Sequence, residues 1–143
     1  PFPNREEIFG RQQIMNERDE VTGTKDLLLI NAVSVSFDEV FALAAAYNGI
    51  AYPAHVDKPS TSLLSNLGFV PPDSKFTCAE FHDFNNLHRI RRSHPYFSRC
   101  NVICCSDAHY LEEIHEPEYR LFSRSRKISD ILDALTSPVP AQT

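Results

Sequence analysis

The chain has 143 residues, 42% of them hydrophobic, so it is about the size of one domain and can form a buried core. Its formal net charge of −5 argues against a broad nucleic-acid-binding surface. No apolar run approaches the roughly 20 residues that a helix needs to span a bilayer, so we expect no membrane association. We expect a single domain over residues 1–143.

The opening residues, 1–26, are predicted to be a polar lead-in segment. They contain few apolar residues, and we predict a helix over 5–15 followed by a turn over 20–24 that contains Gly23. The apolar run 27–30 then has the length of a strand, although its leucines leave a helix possible.

The middle of the chain predicts two helices separated by a short strand. Ser36 and Glu39 fit a capping box, apolar residues follow them at helical spacing, and Gly49 is predicted at the left-handed position that ends this helix. A short apolar strand over 50–52 comes next. The second helix is predicted over 61–67.

The remaining sequence alternates strands and helices. Strands over 77–81 and 101–105 flank a predicted helix over 85–92, and a last helix is predicted after Ser125, with apolar residues on one face. Two prolines are predicted to end it: Pro138 and Pro140. This alternation indicates an α/β fold with a largely parallel sheet.

The four cysteines show no spacing typical of a metal site or a disulfide framework. None forms a Cys-x-x-Cys pair, and Cys104 and Cys105 are adjacent in a predicted strand, where their side chains point to opposite faces. We interpret the cysteines as small buried hydrophobic residues of a protein in the reducing cytoplasm.

Ligand-type side chains follow two of the predicted strands. His55 comes shortly after strand 50–52, and Asp107 and His109 come directly after strand 101–105. Functional residues of parallel sheets gather at the carboxyl ends of the strands. Imidazole nitrogens and carboxylate oxygens are ligands of Zn²⁺, Mn²⁺ and Fe²⁺, so these three residues are candidate metal ligands.

Plainer interpretations of the same residues remain open. Asp107 and His109 could cap a turn, and His55 could be a hydrogen-bonded loop histidine. Asp57 could orient the His55 ring, cap the following helix or pair with Lys58. Lys58 could contact a phosphate or simply lie at the surface.

The other polar candidates carry weaker signals. Ser106 has no Gly-x-Ser-x-Gly elbow around it, so a helix-capping or ligand-supporting role fits better than a nucleophile. His82 follows a predicted strand beside Asp83 and is a fourth candidate ligand. The remaining histidines are interpreted as surface residues: His88, His94 and His115. With only four glycines and no glycine-rich loop, a Rossmann or P-loop nucleotide site is not expected.

Four segments carry a resemblance to a known family. They are Pro53–Ser60 (PAHVDKPS), Leu67–Pro71 (LGFVP), Ser106–Leu111 (SDAHYL) and the opening Pro1–Gly10 (PFPNREEIFG). The first three resemble the later motifs of the PHP family, the polymerase and histidinol phosphatase family of metal-dependent phosphoesterases, and the fourth resembles a segment from the middle of such proteins. The resemblance covers nearly the whole chain.

The resemblance implies part of a distorted (β/α)₇-type PHP barrel with mostly parallel strands. It also implies a centre of two or three divalent metal ions (Zn, Mn or Fe) at the carboxyl ends of the strands, which would activate a water and clamp a phosphate. His55 matches the family's late single-histidine ligand. Asp107 and His109 match its terminal Asp-x-His ligands.

The chain also departs from the family pattern. It has no His-x-His motif, and its first histidine is His55. The resemblance thus implies the carboxyl-terminal part of a phosphoesterase, inactive alone, whose whole form acts on a phosphorylated small molecule or nucleotide. A missing amino-terminal half or self-association would cover the strand edges of the partial barrel. The alternative is a non-catalytic PHP-like domain that binds a partner or has a structural role.

Overall fold

A computed structural model describes residues 2–137 as a mixed α/β structure with two small sheets. One sheet is an antiparallel pair of strands and the other is a parallel pair. The chain divides into two compact units, Pro1–Ser36 and Phe37–Thr143. The expected mixture of helices with parallel strands is confirmed at this level. No helix within the described range has the length and apolar character needed to cross a membrane.

The first unit contains a hairpin where the sequence predicted a helix. Helix α1 is only Glu6–Phe9, and strands β1 (Gln13–Met15) and β2 (Val21–Thr24) pair antiparallel. The predicted helix over 5–15 and turn over 20–24 are therefore wrong.

Asn16 explains the hairpin. Its side-chain oxygen accepts hydrogen bonds from the backbone N–H groups of Arg18 and Glu20, at 2.9 and 3.0 Å, and so closes the turn between the strands. Asparagine side chains favour such turns because they offer the backbone a local alternative to the helix.

The predicted strand over 27–30 is also wrong. Leu27 forms only an isolated bridge with Pro3, and Leu29 and Ile30 lie exposed in a turn. The side chain of Gln12 occupies the backbone groups that a strand would pair: its amide nitrogen donates to Leu27 O, and its oxygen accepts from Leu29 N. A distant glutamine cannot be read from a local apolar run.

In the second unit, both predicted helices of the middle region are confirmed, as α2 (Phe37–Ala46) and α3 (Leu63–Leu67). At the end of α2, however, the left-handed residue is Asn48 (φ 57°) rather than Gly49, whose N–H bonds to Ala44 O at 2.9 Å. This is the hydrogen-bond pattern of a Schellman motif, in which asparagine can replace glycine.

The capping of α3 is set by two serines. Ser62 is buried, and its hydroxyl accepts from the backbone N–H of Ser65, whose own hydroxyl accepts from Ser62 N–H. The helix ends at Gly68, whose φ of 74° suits a residue without a Cβ.

The predicted strand over 50–52 does not form. The neighbouring backbone instead touches the sheet at two points, where Pro53 O accepts from Glu80 N–H and Val56 N–H donates to Glu80 O. Pro53 has no N–H to donate, which prevents a continuous ladder at this edge.

A parallel pair of strands forms the centre of the second unit. Strand β3 (Cys78–Phe81) lies beside β4 (Asn101–Cys104), and α4 (Leu87–Ser93) lies between them in the chain, which confirms the predicted strand–helix–strand order. Two 3₁₀ turns flank α4: Phe84–Asn86 and Pro95–Arg99. Cys78 is opposite Asn101 and Phe81 is opposite Cys104, so both strands end at the same edge.

Aromatic side chains dominate the core around this sheet. Phe76, Phe81 and Phe97 are buried, and the Phe76 ring lies 4.6 Å from the ring of Tyr96, centroid to centroid. The Tyr96 hydroxyl is 2.6 Å from the carbonyl oxygen of Ser74, so its polar end is satisfied. The remaining buried residues of this cluster are Val56, Ala79, Ile90 and Cys100.

The cysteines divide into two buried and two more accessible thiols. Burial raises the pKa of Cys78 to about 12 and that of Cys100 to about 11, so both are protonated at neutral pH. All four are free. The interpretation as buried residues is confirmed for Cys78 and Cys100 and is wrong for Cys105, which is exposed.

The last described helix is α5 (Ile128–Thr136), as predicted, but its apolar face is only partly buried. Leu135 is buried, whereas Ile128 is exposed. Lys127 rather than Ser125 is the N-cap, and the Ser125 hydroxyl is hydrogen-bonded to Asp130 and accepts from the backbone N–H of Lys127. The two prolines predicted to end the helix lie outside the described residues: Pro138 and Pro140.

Candidate functional site

The three residues predicted as metal ligands lie together beyond the carboxyl end of β4. The Asp107 carboxylate lies between two imidazoles: His55 Nε2 is 3.8 Å from its Oδ2, and His109 Nε2 is 3.9 Å from its Oδ1. We call this group, His55, Asp107 and His109, the histidine–aspartate corner. His55 and Asp107 are 52 positions apart in the sequence, and the fold brings them together.

Lys58 forms the closest contact to the corner. Its Nζ is 2.5 Å from Oδ2 of Asp107. The Lys58 ammonium is the main cause that lowers the pKa of Asp107 below its usual 3.8, with smaller contributions from the two imidazoles and an opposing effect of burial. Asp107 is therefore a carboxylate at neutral pH.

Two of the five non-glycine residues with positive φ in the described part of the chain belong to the corner. His55 has φ 30° and Asp107 has φ 50°, in the left-handed region where a residue with a Cβ costs on the order of 1 kcal/mol. The His55 side chain is only 17% exposed, and its Nδ1 is buried without a hydrogen-bond partner among the described residues. Strained and unsatisfied residues of this kind cluster at functional sites.

Two imidazoles and a carboxylate are donor types that divalent metals bind, but the three side chains are not arranged around a single ion position. Within residues 2–137, no three His, Cys, Asp or Glu side chains are placed to hold one metal ion. The two imidazoles of the corner approach different oxygens of Asp107, and Lys58 lies against one of these oxygens. The corner thus offers three donors, whereas a metal centre requires all of its ligands about 2 Å from the ion.

Asp57 has a different role from those considered from the sequence. Its carboxylate accepts hydrogen bonds from the backbone N–H of His82 (2.7 Å) and of Asp83 (2.8 Å), and from the side chain of Asn86 (3.0 Å). In the described part of the chain these bonds go to the loop after β3 and not to His55. Burial raises the pKa of Asp57, but the three hydrogen bonds outweigh burial and lower it below 3.8.

A cavity of about 410 Å³ opens beside the corner. It lies where the chain leaves β3 and β4, and every residue that lines it is polar: Lys58, His82, Ser106, Asp107, His109, Glu112, Glu113 and His115. Ser106 thus borders the cavity. Glu113 holds the loop after Asp107, because its carboxylate accepts from the backbone N–H of His109 at 2.8 Å and of Tyr110 at 3.3 Å.

The sequence did not reveal three of these cavity residues. Glu112 and Glu113 follow the Asp-x-His motif in a polar segment with no recognisable spacing, and His115 was interpreted as a surface residue. The His115 ring nevertheless lies 5.9 Å from the His82 ring, centroid to centroid. Only proximity to Asp107 in the chain could have indicated them.

No family model matches the chain, and comparison with curated proteins and with solved structures also finds no match. The relation to the PHP family therefore stays a prediction from the motifs quoted above.

Proposed function

We propose that the chain provides part of the active site of a metal-dependent phosphoesterase, with His55, Asp107 and His109 as ligands of a divalent ion (Zn, Mn or Fe). The observation that carries this proposal is the ionised carboxylate between two imidazoles, next to the edge where two parallel strands end. The strained backbone at two of the three donors supports it.

A bound divalent ion would supply an activated water and charge stabilisation of the phosphate. The chain's own residues prepare for this role. Asp107 is already deprotonated, so the carboxylate can bind a cation without losing a proton. Lys58 lines the cavity with its ammonium group and is the candidate contact to a phosphate oxygen.

Three donors from one chain are too few for a centre of two or three metals. The proposal therefore assigns the remaining ligands, and the remaining strands of a PHP-type barrel, to residues outside this sequence. The chain alone then binds one ion weakly and does not hydrolyse phosphate esters. Its free thiols suit a reducing compartment such as the cytoplasm.

Metal binding by the purified chain tests the assignment. We expect Zn²⁺ binding by isothermal titration calorimetry, and we expect Asp107→Asn to weaken it at least about tenfold, the effect of removing a donor or its close support. Asp133→Asn is the matched control, because Asp133 is an exposed carboxylate paired with Arg124. Equal Zn²⁺ affinity for wild type and Asp107→Asn would contradict the proposal.

A second candidate is a non-catalytic module that binds a protein partner. The observation in its favour is a set of exposed apolar side chains in the polar segment after the corner, where Leu111 is 83% exposed, Ile114 is 61% exposed and Phe122 is 88% exposed. Exposed apolar residues in such numbers often mark an interface. If this is the function, Leu111→Asp abolishes association of the chain with its protein partner in sedimentation velocity runs, whereas Asp107→Asn leaves that association unchanged.

A further inference from the structure

We infer that the cavity beside the corner binds the leaving alcohol of the substrate, with His82 and His115 as contacts and Asp57 as the residue that positions His82. The substrate class is a small polyhydroxylated phosphate monoester. This inference rests on the proposed function, since the corner would hold the phosphate and the cavity the alcohol.

The side chains that line the cavity indicate which kind of alcohol it binds. All eight lining side chains are polar, with hydrogen-bonding groups that match hydroxyls. A nucleobase or aryl group would favour aliphatic, phenyl or indole side chains, whereas the rings of this wall are the imidazoles of His82, His109 and His115. A volume of about 410 Å³ exceeds that of a dozen waters at about 30 Å³ each, so the cavity has room for more than a phosphate group.

His82 is the most constrained histidine of this wall. It directly follows β3, and its Nδ1 is buried without a hydrogen-bond partner in the described part of the chain. Its ring lies 5.9 Å from that of His115, centroid to centroid, so the two imidazoles border the cavity as neighbours. Because Nδ1 is buried, Nε2 is the nitrogen of His82 that remains to donate to or accept from a ligand hydroxyl.

Asp57 fixes where His82 lies. Its carboxylate binds the backbone N–H groups of His82 and Asp83 and the side chain of Asn86, which anchors the whole loop after β3. Asp57 itself does not line the cavity. Its replacement should therefore change the cavity through His82 and leave the contact between Lys58 and Asp107 intact.

Glu112 and Glu113 add hydrogen-bond acceptors to the wall of the cavity. The Glu113 carboxylate accepts hydrogen bonds from the backbone N–H groups of His109 and Tyr110. Glu112 is exposed. Its carboxylate is a strong acceptor for ligand hydroxyls. The cavity therefore combines donors and acceptors in the way a polyol needs.

Histidine ring signals of the full chain, followed by NMR in the presence of Zn²⁺, test the inference. The probes are inorganic phosphate, D-glucose 6-phosphate and phenyl phosphate. We expect phosphate to shift the signals of His55 and His109, and glucose 6-phosphate to shift those of His82 and His115 as well. Phenyl phosphate should behave like inorganic phosphate.

Variants assign the effect to residues. His82→Ala, His115→Ala and Asp57→Asn should each weaken glucose 6-phosphate binding about tenfold, the effect of one hydrogen bond, with phosphate affinity unchanged. His88→Ala, an exposed histidine of α4, is the control. Because His115 is exposed and outside the helices and strands, His115→Ala tests the wall even if another variant fails to fold.

Two outcomes separate this inference from the function on which it rests. If phosphate shifts the corner signals but glucose 6-phosphate leaves His82 and His115 unmoved, the cavity assignment is wrong and the phosphoesterase proposal stands. If glucose 6-phosphate shifts His82 and His115 while phosphate leaves the corner unmoved, the cavity is a polyol site and the proposed function is wrong. Equal shifts of the cavity histidines by phenyl phosphate would overturn the substrate class.

Discussion

At the scale of single residues, the contact between Lys58 and Asp107 controls the charge of the candidate site. The motifs predicted both residues as parts of a site but could not predict their pairing, because 49 positions separate them and the contact depends on two strained loops. A sequence motif reports which side chains are available. It does not report which of them neutralise each other.

This pair gives the site a defined pH dependence. The pKa of Asp107 is lower in the folded chain than its usual 3.8, so the stabilisation from the pair is complete above that value and is lost as the pH falls through the folded pKa. Carboxyl carbon NMR titration should show Asp107 titrating below 3.8, and Lys58→Met should move its pKa upward. Lys75→Met, at an exposed lysine, serves as the control. An Asp107 pKa that is identical in wild type and Lys58→Met would contradict the pairing.

At the scale of elements, local signals located most helices and strands of the second unit. The helical spacing of apolar residues after Ser36 located α2, the helix predicted over 61–67 contains α3, and short apolar runs located β3 and β4. The helix predicted over 5–15 is wrong for a local reason, the turn that Asn16 closes. The two predicted strands that do not form share another cause. The strand over 27–30 is prevented by the Gln12 side chain, and the strand over 50–52 is replaced by two contacts of its neighbours with Glu80, so both outcomes depend on distant residues.

The cap of α3 allows a test of a local signal that the sequence prediction did not use. Ser62 is buried, accepts from Ser65 N–H at 3.0 Å and donates to Lys58 O at 2.8 Å. We expect Ser62→Ala to lower the free energy of unfolding by about 1 to 2 kcal/mol, the usual cost of losing an N-cap side chain. Urea denaturation measures this change. Ser98→Ala, at an exposed serine, should change the free energy of unfolding by less than about 0.5 kcal/mol.

Because Ser62 bonds to the carbonyl of Lys58, its cap also supports the loop that carries Lys58 and His55. Ser62→Ala should therefore also weaken Zn²⁺ binding at the corner, whereas Ser98→Ala should not. A stable Ser62→Ala variant with unchanged unfolding free energy would show that the cap is unimportant.

At the scale of the whole molecule, the second unit contains the core and the candidate site together. The buried aromatic cluster lies under the two parallel strands, whose shared carboxyl edge leads to the corner and the cavity. The sequence predicted the strand–helix alternation and the position of Asp107 and His109 after β4, but the strand over 50–52 that was predicted to precede His55 does not form. It could not predict the cavity wall, because Glu112 and His115 come from a segment without periodicity.

The two units should differ in local stability. Among the described residues of the unit Pro1–Ser36 none is buried, whereas strand β3 of the second unit has three buried residues of four. Segments with few buried apolar contacts open at low free-energy cost, so their amides exchange quickly with solvent. Hydrogen exchange measured by mass spectrometry should therefore show low protection across β1 and β2 and high protection across β3 and β4.

Exchange in β3 should accelerate strongly in Phe97→Ala, because Phe97 is buried against Phe81, with ring centroids 5.9 Å apart. Phe122→Ala, at an exposed phenylalanine, is the matched control and should leave β3 protected. Equal protection of the two strand pairs in the wild-type chain would mean that the first unit is stabilised by contacts beyond its own hairpin.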